Sequence, residues 1–280
     1  MKGAIACYVA AVSRFVAEHK DFQGSLSFLI TMDEEGPAIN GTKKMLQWLE
    51  ERGEKLDFCL VGEPTNPHRL GEMIKIGRRG SMNCTLKVKG QQGHAAYPQF
   101  ARNPVTEMIK ITHALKQTAI DDGTDYFQPS NLEITSIDTG NEATNVIPAS
   151  CVAKFNIRFN DVHSSEYLKA WITEICDKNS ADYDLHMQVT GEAFQTEPNQ
   201  FIKNMQQMIA EKTGEETELS TTGGTSDARF IKDYCPVVEF GTTGRTAHQV
   251  DENVALETLH SLTDIYFEAL KLYFNTETTN

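Results

Sequence analysis

Apolar and polar positions repeat along this chain with a helical period in some stretches and a two-residue period in others. The opening apolar run over 4–12 continues through Ser13-Arg14-Phe15-Val16-Ala17-Glu18-His19 in an amphipathic pattern. That continuation predicts a core helix over 4–19 and not a signal peptide. Up to Gly77 the pattern then predicts strand 25–32, helix 41–52, strand 57–62 and a short strand near 71–76. Strands alternating with helices imply a mostly parallel sheet covered on both faces. From Ser81 the rhythm changes to strand 81–89, helix 103–119, strand 131–138, strand 151–159, helix 165–178 and strand 183–190. This β-α-β-β-α-β series is the ferredoxin-like pattern. After Gly191 the alternation resumes with helix 199–212, strand 216–221, helix 226–232, strand 236–240 and helix 253–274. The fold class expected is therefore α/β, with a discontinuous domain over 1–77 and 191–280 interrupted by an inserted domain over 78–190. Gly77, Gly80 and Gly191 fall at the junctions, where glycine serves either a hinge or a simple turn.

Composition narrows the class of partner. At 280 residues, 40% hydrophobic and 23% charged, the chain is long enough for two cores and has no bias towards disorder. A net charge of −13 without a basic stripe argues against nucleic acid. No apolar run approaches the roughly 20 residues that span a bilayer. Cys7, Cys59, Cys84, Cys151, Cys176 and Cys235 lie among apolar neighbours without Cys-x-x-Cys spacing. They read as reduced core residues of a cytoplasmic protein.

Candidate chemistry sits at strand ends. Glu34 and Glu35 follow the apolar run Ser27-Phe28-Leu29-Ile30-Thr31, and Glu63 follows Asp57-Phe58-Cys59-Leu60-Val61. Adjacent carboxylates suit a metal-activated water, because one can hold a cation while the other accepts the water's proton. In open α/β sheets ligands gather beyond the carboxyl ends of strands, so Glu35 and Glu63 can reach one site. Two more segments carry polar groups of the same kind: Gly93-His94-Ala95-Ala96-Tyr97-Pro98, and the C-terminal pairing of Gly223-Gly224-Thr225-Ser226-Asp227-Ala228-Arg229-Phe230 with Thr246-Ala247-His248.

These segments, with Gly77-Arg78-Arg79-Gly80-Ser81 and Ala143-Thr144-Asn145-Val146-Ile147-Pro148, resemble the dinuclear zinc aminoacylase and carboxypeptidase-type metallopeptidases, most closely the succinyl-diaminopimelate desuccinylase branch. The resemblance runs from Met1 to the C-terminal helix. It implies a catalytic domain interrupted by a lid and dimerisation domain, a homodimer formed through that insertion, and two Zn2+ per site, with Co2+ able to substitute. It also implies hydrolysis of an N-succinyl amino acid. By the same resemblance Glu34 is the general base, Glu35 and His248 bind one zinc, Glu63 binds the other, and His94 from the lid stabilises the oxyanion. Substrate contacts fall to Arg158, suited to bidentate carboxylate recognition, and to Asn145, Ser81, Gly224 and Thr225. Arg78 and Arg79 either join them or pin the junction. Arg229 is equally suited to a structural role.

Two departures follow. Members of the branch carry an earlier strand ending in His-x-Asp and a bridging aspartate in an Asp-Met-Lys-Gly run, whereas this chain opens Met1-Lys2-Gly3. The resemblance thus starts one residue after that aspartate, which implies a truncated chain that is inactive or nearly so. Some relatives also carry an asparagine before the final histidine, where this chain has Arg245. Acetylornithine deacetylase-like and carboxypeptidase-like hydrolysis, or service as a non-catalytic dimerisation fragment, remain the alternatives.

Overall fold

Helix α1 (Lys2–Glu18) buries Ala4, Cys7, Ala11 and Phe15, a spacing of three and four that gathers all four on one face. The computed structural model describes residues 1–275. The elements that follow α1 are α2 (Thr42–Glu51), β1 (Cys59–Val61), β2 (Met73–Lys75), β3 (Gly77–Arg78), β4 (Gly80–Lys89), β5 (Gly93–His94), α3 (Pro104–Gln117), β6 (Asn131–Asp138), β7 (Val146–Ile147) and β8 (Ser150–Phe159). After them come α4 (Ser165–Asn179), β9 (Tyr183–Gly191), β10 (Phe194–Gln195), α5 (Gln200–Thr213), β11 (Glu218–Ser220), α6 (Ala228–Ile231), β12 (Val237–Glu239) and α7 (Leu256–Tyr273). Contacts divide the chain into one unit of Met1–Arg78 with Gln195 onward, and a second of Arg79–Phe194.

The first unit is built on a four-stranded sheet in the order β1-β12-β2-β11. Strands β1 and β12 pair in parallel, as do β2 and β11, while β12 meets β2 antiparallel through Glu239 and Lys75. The sheet is thus mostly parallel, with one reversed seam. Helices α1 and α7 pack on one another, and the rings of Tyr8 and Tyr266 stack at 3.8 Å. Their hydroxyls donate to the carbonyls of Leu60 and Phe240, which ties both helices to the adjacent strands β1 and β12. Short strands here are held by such side-chain anchors as much as by ladder bonds.

One expected element is absent. Residues 25–32 form no ladder among the described residues, and Phe28 and Ile30 stand 46% and 56% exposed. Alternating apolar residues give a segment the preference for a strand, but only a neighbouring backbone supplies the bonds that make one.

The second unit has the order β6-β8-β4-β9, antiparallel throughout, with α3 and α4 packed together against it. This is the ferredoxin-like arrangement expected from the β-α-β-β-α-β series. Met82, Cys84, Leu86 and Val88 of β4 alternate inward to meet Ala153, Phe155 and Ile157 of β8, while the intervening side chains face the other way. Asn103 and Ser164 cap α3 and α4 by accepting from the amides of Val105 and Tyr167. Gly80 has no left-handed torsion and is glycine for a packing reason, since a Cβ there would lie 2.2 Å from the buried ring of Phe159. Gly80→Ala is expected to lower stability by about 1–3 kcal/mol in urea denaturation, the usual range for overpacking. An unchanged midpoint would mean that the Phe159 ring is free to swing away.

Candidate active site

The turn that carries Glu34 and Glu35 is organised by its neighbour Asp33. The Asp33 carboxylate accepts from the amides of Ile39 and Asn40 at 2.7 and 2.8 Å, which closes the loop before α2. A Cβ on Gly36 would sit 2.6 Å from that carboxylate, so glycine is required where the loop folds over it. Thr42, the first residue of α2, donates to Asp227 at 2.6 Å and links this loop to the Gly223–Asp227 segment. Glu35 projects into solvent and meets His248, with Oε1 and Nε2 3.1 Å apart and both side chains 76% exposed. His248 reaches that position from a backbone φ of 61°, a left-handed torsion uncommon for a non-glycine residue. Such torsions are held only where the surrounding turn over-determines them, and they cluster at functional sites.

A second group of acids lies deeper. Glu63 follows β1 in a tightly fitted corner, where a Cβ on Gly241 would lie 2.4 Å from the Glu63 carbonyl. Burial, reinforced by the charges of Glu34 and Glu239, pushes the Glu63 carboxyl up to about 7. Burial also raises Glu34 above the ordinary carboxylate range, with Glu35 and Asp227 adding to it and Arg229 opposing it. Glu239, at the end of β12, is 1% exposed and carries the counter-charge for Arg78. The Arg78 guanidinium grips both Glu239 oxygens and donates to the carbonyls of Thr222 and Gly224, while Ser226 also donates to Glu239. Arg78 is therefore committed to the glycine-rich loop. Of the two roles expected for it, pinning structure is the one its bonds express. Gly224 faces open space and Thr225 is half-buried beside it, so the loop offers its surface while Arg78 holds it from beneath. Nearby, Lys75 is buried with hydroxyl partners Ser220 and Thr222, and burial, then Arg78, push its ammonium down to about 8.

The remaining candidates belong to the second unit. His94 of β5 pairs with Val146 of β7, and Ala95 donates to the carbonyl of Asn145, so two motifs far apart in sequence form one loop pair. The Ala96 amide donates to Nδ1 of His94 at 3.0 Å. A neutral imidazole so bonded carries its proton on Nε2, pointing a donor away from the backbone. Ser81 and Arg158 are direct cross-strand partners on β4 and β8.

The donors fit zinc by chemistry but not by number. Glu35 and His248 offer one oxygen and one nitrogen, and Glu63 offers carboxylate oxygen elsewhere. Among the described residues no three His, Cys, Asp or Glu side chains converge in a metal-binding arrangement. Catalytic zinc ordinarily takes three protein ligands. One His-x-Asp triplet, His19-Lys20-Asp21, does precede Glu34, but it ends a helix instead of a strand. His19 caps α1 and packs its ring 5.0 Å from that of Phe15, a structural setting.

Asp33, Thr42, Asp227 and Glu239 escaped the sequence reading. Glu239 sits inside Val237-Val238-Glu239-Phe240, and a lone carboxylate in such an apolar run is its only signal. The six cysteines are free, and no helix is long and apolar enough to cross a membrane among the described residues.

Comparison with known proteins agrees with this arrangement. Residues 76–184 match the peptidase dimerisation domain of the M20 peptidases. The chain is 52% identical over 274 residues to a succinyl-diaminopimelate desuccinylase of Rhodospirillum centenum, a match that takes in 98% of this chain and 71% of that protein. Among solved structures, aminopeptidase PepT from Bacillus cereus has a TM-score of 0.77 at 18% identity, covering 97% of this chain and 70% of PepT. A dinuclear metal-binding peptidase of the M20 family from Bacillus subtilis has a TM-score of 0.64 at 16% identity, covering 97% and 72%. With a relative at that identity along nearly its full length, and with the M20 fold, the chain belongs to the succinyl-diaminopimelate desuccinylase family of metal-dependent amide hydrolases.

Proposed function

We propose that this chain carries the substrate-recognising and proton-handling groups of a hydrolase that splits N-succinyl-LL-2,6-diaminopimelate into succinate and LL-2,6-diaminopimelate, a step that belongs to diaminopimelate and lysine biosynthesis. The observation that carries the reading is the acid cluster of Glu34 and Glu63, whose carboxyls are raised towards neutrality by burial and by one another. A base poised near the working pH takes a proton and returns it readily. Glu34 accepts the proton of the attacking water and delivers it to the leaving amine. His94 donates from Nε2 to the oxyanion that forms on the scissile carbon, and the orientation of its ring supports that task. Arg158, Asn145, Ser81, Gly224 and Thr225 bind the substrate's carboxylates and amide. Glu35 with His248, and Glu63, are the zinc ligands in this reading, and Co2+ can replace zinc. The protein works in the cytoplasm as a homodimer joined through the inserted unit.

The ligand count adds a second conclusion. With two donors at one position and one at another, this chain by itself holds zinc weakly and is inactive or nearly so. The same count supports service as a dimerisation or regulatory partner, or completion in trans by a polypeptide that supplies the absent ligands. Metal analysis after dialysis against zinc is expected to find well under one ion per chain. Hydrolysis of succinyl-diaminopimelate should be no faster than that of Glu34→Gln. Stoichiometric zinc together with hydrolysis abolished by Glu34→Gln would overturn the inactivity and keep the enzyme. Should saturating zinc or cobalt evoke turnover that is faster on acetylornithine, the substrate assignment falls.

A further inference from the structure

The polar face of the inserted unit's sheet holds an unneutralised pair of guanidiniums. In β4, β8 and β6 the residues Ser81, Arg158 and Asn131 stand in register across three strands, on the face opposite the apolar core. Arg79 lies two residues before Ser81 and so shares its face. Its guanidinium crosses the sheet to donate from Nη1 to Asn131 Oδ1 at 3.2 Å. Directly paired strand residues have Cβ atoms about 5 Å apart, so this bond brings Arg79 alongside Arg158.

Neither guanidinium has a carboxylate within ion-pair distance among the described residues. Arg79 Nε is buried without a partner, and Arg158 spends Nε on Asn156 Oδ1 while its two terminal nitrogens have no bond in the structure. The Ser81 hydroxyl, in a residue only 2% exposed, receives a long bond from Asn156 and gives none. Burial and the neighbouring Arg158 charge both push the Arg79 guanidinium below its usual value. The adjacent Arg78 makes the contrast plain, since every direction of its guanidinium is answered by Glu239 or a carbonyl. Buried polar groups are nearly always satisfied, and a place with donors only is one that an acceptor completes.

We infer that Arg79 and Arg158, with the Ser81 hydroxyl between them, form a carboxylate-binding clamp that belongs wholly to the inserted unit. Two planar forks side by side match the oxygens of one carboxylate better than any single lysine would. The clamp assigns Arg79 a ligand-binding role and makes the acyl or amino-acid carboxylate of a small dicarboxylic compound its ligand. The naming of that ligand rests on the function proposed above, whereas the clamp rests on the geometry alone.

The test is a titration of the full-length, metal-free chain with sodium succinate and separately with LL-2,6-diaminopimelate, followed by amide shifts in NMR at low ionic strength. Shifts are expected at residues 79–83, 131 and 156–158. Arg79→Gln and Arg158→Gln should each weaken binding about tenfold, the size of one charge-assisted pair of bonds. Arg79→Lys should recover only part of it. Asn131→Asp places a carboxylate beside both forks without removing either, so it should abolish binding while keeping the fold. Whichever compound binds more tightly identifies the substrate end held there. Equal affinity in all four variants and the parent would overturn the clamp, as would equal competition by chloride. A clamp that binds succinate in a chain that hydrolyses nothing would leave this inference standing and the proposed activity rejected. The reverse holds if hydrolysis proceeds with an unchanged KM in Arg79→Gln.

Discussion

Glu239→Gln is expected to destabilise the protein by about 3–5 kcal/mol, the range for removing one partner of a buried ion pair. Arg78 is 7% exposed and Glu239 1%, so the guanidinium left behind has almost no water to replace its lost partner. The same substitution weakens the anchor of the Gly223–Ser226 loop, because Ser226 also donates to Glu239 and Arg78 also holds the carbonyls of Thr222 and Gly224. Hydrogen exchange in that loop should therefore accelerate beyond the global loss. The double replacement Arg78→Met with Glu239→Leu removes both charges and is expected to recover most of the stability while leaving the loop loose. Urea denaturation separates the cases. A single glutamine variant as stable as the parent would mean that the pair is solvated and holds nothing.

Glu63→Gln has the opposite sign. In metal-free buffer at pH 8 it is expected to stabilise the protein by about 3 kcal/mol, and at pH 4 to leave it unchanged. The folded carboxyl is raised from an ordinary 4.5 to about 7, first by burial and then by Glu34 and Glu239. Between those two values the folded state keeps a proton that the unfolded state has released. Stability contributed by the protonated form is thus present below 4.5 and lost as pH rises through 7, where the charge must be buried outright. Glutamine has no charge to bury, so its advantage grows over that window and then levels off. Stability curves of parent and variant that run parallel from pH 4 to 8 would refute the raised carboxyl. A protein that tolerates such a penalty keeps Glu63 for what it binds and not for stability, as strained groups at functional sites commonly are.

Much of the architecture was legible before any coordinates. Strand 131–138 and the βαββαβ series follow directly from alternation and turn residues, and most other elements lie within a few residues of their expected bounds. Those stretches carry their own evidence, because a face that must be buried writes its period into the chain. Residues 25–32 have the same alternation and no ladder. A ladder is a property of two segments, and one segment's pattern cannot report the absence of the other. The reversed seam between β12 and β2 was hidden for the same reason.

The amino-acid sequence by itself determined the kinds of group available: carboxylates after apolar strands, a histidine in a small-residue loop, a glycine-rich turn and a pair of arginines. Tertiary structure alone decided which of them answer one another. Arg78 and Arg79 are adjacent in the chain and chemically identical, yet one is neutralised in the core by a glutamate 161 positions away while the other crosses a sheet beside a second unpaired cation. Local pattern specifies burial and period, which are properties of a residue with its near neighbours. Charge pairing depends on distances between residues remote in sequence, and only the folded backbone sets those.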